Sequence, residues 1–70
     1  MIPEQEQYYL NLFNLTVQKL VIKNKLDLKG LENLRLKYKE ILFLFQNEHF
    51  DIMHMKMEEL IDTLQEKRAS

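Results

Sequence analysis

The chain has 70 residues, with ten Lys or Arg against eleven Asp or Glu, a formal net charge of −1, and no cysteine. That length holds a single domain, here taken as residues 1–70, and little interior in which a substrate could be screened from water. The missing cysteine excludes disulfides and thiolate metal sites as staples of so small a fold, which leaves helix packing, self-association or a partner to stabilise it.

One Gly and one Pro among many Leu, Lys, Glu and Gln favour helix along the whole chain. In the first segment Leu10, Phe13, Val17 and Leu20 recur at helical spacing, with Tyr9 and Val21 beside them. This predicts a first helix over about residues 4–23. Pro3 suits its first turn, and Glu4 and Glu6 complement the positive end of the helix dipole. Asn24-Lys25-Leu26-Asp27 reads as a turn with Asp27 as the N-cap, and Leu26 and Leu31 have the spacing of a hydrophobic staple. Gly30 weakens the turn that follows.

The second stripe is Leu31, Leu34, Tyr38, Ile41, Leu42 and Phe45, predicting a helix over about residues 28–46. The third is Phe50, Met53, Met57, Leu60, Ile61 and Leu64, predicting one over about residues 51–67. Five residues separate Phe45 from Phe50, which rotates the seam by about 140°. The economical interpretation is a turn at Gln46–Phe50, with Asp51 capping the third helix and Phe50 and Met55 forming a second staple. The alternative is a helical hairpin with one long second helix. Three helices of matched length on short connections predict an up-down-up bundle, which would be self-associating.

Charge is distributed unevenly. Lys19, Lys23, Lys25, Lys29, Arg35, Lys37 and Lys39 face only Asp27 and Glu32 in the middle of the chain, while acids dominate both flanks. The predicted topology gathers the first turn at a basic pole and the second turn at an acidic one. The start, Met1-Ile2-Pro3-Glu4-Gln5-Glu6, is the reverse of a signal peptide. The longest apolar run, Ile41–Phe45, falls far short of a membrane span. A cytoplasmic protein that binds no membrane is therefore expected. The Lys-, Asn- and Ile-rich composition suggests an AT-rich bacterial or phage genome.

Apolar residues remain outside these stripes. Tyr8, Leu12, Leu15 and Ile22 lie opposite the first stripe and, with Lys19 in the gap, follow a 4-3-4-3 heptad spacing. The second helix adds Leu36 and Phe43, seven residues apart. If the first helix sat between the other two, both its faces would be core. Otherwise Tyr8, Leu12, Leu15, Ile22, Leu36 and Phe43 form a surface for a homodimer or a protein partner, which is the expectation adopted.

Catalytic chemistry finds no constellation. His49 and His54 are five apart rather than on one helix face, and Asp51, His54, Glu58 and Asp62 read as a solvated acidic strip. Ser occurs only as Ser70, Thr16 and Thr63 lack a neighbouring histidine, and a phosphate loop needs more than one glycine. No enzyme activity, cofactor, metal or small-molecule substrate is expected. Met53 and Met57 read as core filler, whereas Met55 points outward. The alternative function is a small nucleic-acid-binding regulator, with Lys25, Lys29, Arg35, Lys37 and Lys39 contacting phosphates. Against it, Tyr38 lies on the core stripe, and Leu28-Lys29-Gly30-Leu31 is a poor start for a helix that reads bases.

Overall fold

The computed structural model describes residues 2–69, most of them in three helices: α1 Glu4–Asn24, α2 Leu28–Gln46 and α3 Phe50–Ala69. Ser70 lies outside the described residues. Each helix end has a local cause. Pro3 stands just ahead of α1 rather than in its first turn, and its carbonyl accepts from the N–H groups of Glu6 (3.1 Å) and Gln7 (3.2 Å). At the far end Lys25 takes the left-handed conformation (φ 49°) and donates its N–H to the Val21 carbonyl. A non-glycine residue pays a steric penalty there.

Asp27 caps α2: its carboxylate accepts from the Gly30 N–H at 2.8 Å, and its carbonyl accepts from Leu31 N–H at 2.9 Å. Gly30 is buried, and a Cβ placed on it would lie 3.2 Å from that carboxylate and 3.5 Å from Leu26. The glycine thus gives room for the cap, a role hidden behind its poor helix propensity. Leu26 packs on the core while Leu31 is exposed, so these two do not share a buried staple.

The long-helix alternative is overturned at residues 47–49. Glu48 adopts φ 59°, its N–H donates to the Phe45 carbonyl, and the His49 N–H reaches back to Leu44 at 2.9 Å. These two bonds around a left-handed residue are a Schellman stop. The His49 carbonyl accepts the first bond of α3, from Met53, so Asp51 stands in the first turn and is not the cap. Met55 is exposed, and the ring that meets Phe50 is Phe45, edge-on at 6.2 Å.

The result is a small all-α, three-helix, up-down-up bundle measuring 40 × 18 × 15 Å. Contacts between helices fix the directions. Glu6 meets His54 and Asn24 meets Leu64, so α1 and α3 run parallel; Glu40 meets Lys56 where the end of α2 passes the start of α3. The core comprises Leu10, Phe13 and Val17 of α1, Ile41 of α2, and Met53, Met57, Leu60 and Leu64 of α3. Leu20, Leu34, Tyr38, Leu42, Phe45, Phe50 and Ile61 close around it half-buried. Leu31, the first residue of the second stripe, stays exposed at its margin.

The central helix is α3, not α1. It packs closely against both neighbours, whereas no Cα of α1 comes within 8 Å of one in α2. Those two helices meet through long side chains: the Phe13 and Tyr38 rings stack at 6.2 Å, and the Tyr38 hydroxyl donates to Asn14 Oδ1.

Candidate interaction surface

With α3 in the middle, the second face of α1 has no helix to cover it. Residues on one face of α1 recur every three or four positions, and the inward set is Leu10, Phe13 and Val17. Rotation by about 180° from that set leads to Tyr8, Leu12, Leu15, Lys19 and Ile22. All five are exposed, Tyr8 at 64%, Leu15 at 54% and Ile22 at 76%. Leu12, the least exposed of the four apolar ones, also borders a shallow apolar groove between α1 and α3, about 220 Å³, lined by Tyr9, Phe13, Met57, Glu58 and Ile61.

Leu36 and Phe43 are exposed too, at 66% and 63%, but on the outer side of α2. They lie about 200–220° round that helix from buried Ile41 and so face away from the bundle. Leu28 on α2 and Ile52 and Met55 on α3 are further exposed apolar residues. The six residues expected to form one surface therefore divide between two helices whose backbones do not approach each other. The α1 group is the larger of the two and the one with alternating four- and three-residue spacing.

Lys25, Lys29, Arg35, Lys37 and Lys39 are all exposed, Lys25 in the turn and the rest on α2. Measured from Ile41, the four on α2 fall near 240°, 120°, 320° and 160°, so Lys29, Arg35 and Lys39 share the outward side with Leu36 and Phe43 while Lys37 lies apart. Tyr38 is occupied by Phe13 and Asn14. The ring within the basic segment is therefore not free, whereas Phe43 is exposed on the outer side of α2.

His54 is the residue whose surroundings sequence spacing misplaced. Instead of standing in an acidic strip, it is half-buried against α1: Nε2 donates to Glu6 Oε1 at 2.6 Å, and the imidazole stacks on Tyr9 with centroids 4.3 Å apart. Because a carboxylate only accepts, this bond fixes the ring proton on Nε2. Asp51, Glu58 and Asp62 remain exposed. The far end of the α1–α3 contact is closed by Asn24, whose amide donates to the Leu64 carbonyl at 2.6 Å while its own Oδ1 is buried without a partner among the described residues. The pairing of Glu6 with His54 spans 48 positions, and helical periodicity within one segment carries no signal for it.

Among the described residues no three His, Asp or Glu side chains gather as a metal site, and no helix is long and apolar enough to cross a membrane. Comparison with family models, curated proteins and solved structures finds no match.

Proposed function

We propose that the chain is a cytoplasmic, non-catalytic protein–protein interaction module of a bacterium or phage, an adaptor, inhibitor or regulator of a larger assembly. It acts by occlusion or scaffolding through the outer face of α1, with Tyr8, Leu12, Leu15 and Ile22 as the contact residues. The observation that supports this reading is that four apolar side chains at coiled-coil spacing stand in solvent on a helix whose opposite face already completes the core. Leu36 and Phe43 would be a second, smaller contact on α2.

A photo-reactive residue placed at Leu15 in the cells that make the protein tests the proposal, with exposed, polar Asn33 of α2 as the control site. The proposal expects discrete cross-linked products from position 15 and none from position 33. Equal yields from both, or none from position 15, would overturn it.

A further inference from the structure

The seam on α1 has a charge pattern that selects its occupant. Its residues alternate in the positions coiled coils use for contact, Tyr8, Leu12, Leu15, Lys19, Ile22, with a single lysine breaking the apolar run. Such a polar contact residue lowers affinity but fixes register. Charge along the helix is also asymmetric: Glu4 lies at the start of α1, and Lys19 and Lys23 lie toward its other end, all three exposed.

Resting on the interaction reading above, we propose that the occupant is a second copy of this chain, its α1 packed antiparallel on the first. In a parallel pair Lys19 would meet Lys19 within the seam. Reversing one helix removes that repulsion. A single antiparallel register then places Leu12 against the second copy's Leu15 and Lys19 against its Tyr8. By the two-fold symmetry each pairing occurs twice. The Lys19 ammonium gains an aromatic face and a phenolic oxygen instead of another cation. Ile22 lies at the rim, opposite Gln5. Because the seam points away from the core, the two bundles project to opposite sides and do not collide. The same reversal sets the acidic start of each α1 beside the basic end of the other, so steering and register agree.

Sedimentation of the full chain over a range of concentrations is the first test. The expected result is a reversible dimer that Leu12→Lys with Leu15→Lys converts to monomer without loss of helical circular dichroism. Orientation is read separately. The chain has no cysteine, so Tyr8→Cys and Lys19→Cys variants, both at exposed positions, can be mixed and equilibrated in a thiol–disulfide buffer. With the two variants mixed in equal amounts, the antiparallel register expects the 8–19 disulfide to exceed the sum of the two homodisulfides, which random pairing would equal. A mixed product at or below that sum would overturn it. A strict monomer would overturn self-pairing while the cross-links from position 15, at a mass other than twice the chain's, would still uphold the interaction reading.

Discussion

The first and third helices of this bundle carry comparable amounts of apolar side chain and use them differently. On α3, Met53, Met57, Leu60 and Leu64 form one broad stripe, flanked by Phe50 and Ile61, that serves two neighbours at once. On α1, a narrower stripe serves α3 and little else, and a second seam faces the opposite way into solvent. Helical periodicity locates such faces but says nothing about which of them a neighbour covers. That is decided by which helix is central, a property of the whole arrangement.

The contrast is sharpest at two adjacent residues of α1. Phe13 is 3% exposed and Leu12 46%. Truncating Phe13 to Ala opens a cavity against α3 and Tyr38 and should cost about 3–5 kcal/mol, enough to leave much of so small a domain unfolded by chemical denaturation. Tyr38→Phe removes the hydroxyl that bonds Asn14, the only side-chain hydrogen bond described between α1 and α2, and keeps the ring stack on Phe13. Its expected cost is about 1 kcal/mol in the same measurement. Lys25→Gly should raise stability, by up to about 1 kcal/mol, because glycine enters the left-handed region without the Cβ clash. At the other extreme, Leu12→Ala should shift the unfolding midpoint of the monomer by no more than about 0.5 kcal/mol. A cost near that of Phe13 would mean that the seam is core after all.

Much of the bundle was legible in the sequence, for reasons visible at individual residues. The phase jump between Phe45 and Phe50 announces two helices, because a straight cylinder cannot present both stripes to one core. Asp27 announces its own cap, since its carboxylate needs only the local backbone. The details that were missed depend on non-local geometry or on a residue acting against its propensity. Glu48 occupies a left-handed position usually given to Gly or Asn, so the stop at α2 carries no breaker to read. His54 finds its partner on another helix, and Phe50 turns to Phe45 rather than to Met55. The outer seam was legible as spacing and its exposure was the expectation adopted; what decides that exposure, the place of α1 at the flank, is not written in local spacing.

The central position of α3 also orders events in time. A ribosome releases α1 first, then α2, and these two helices have almost no surface for each other without the third. Half of the buried apolar residues among those described arrive only with α3. A segment ending at residue 46 should therefore show little cooperative helix in circular dichroism, as short helices without tertiary packing are marginal in water. Synthesis of α3 would then act as the trigger for collapse of all three helices together, and until it emerges the outer and inner faces of α1 are equally open to chaperones.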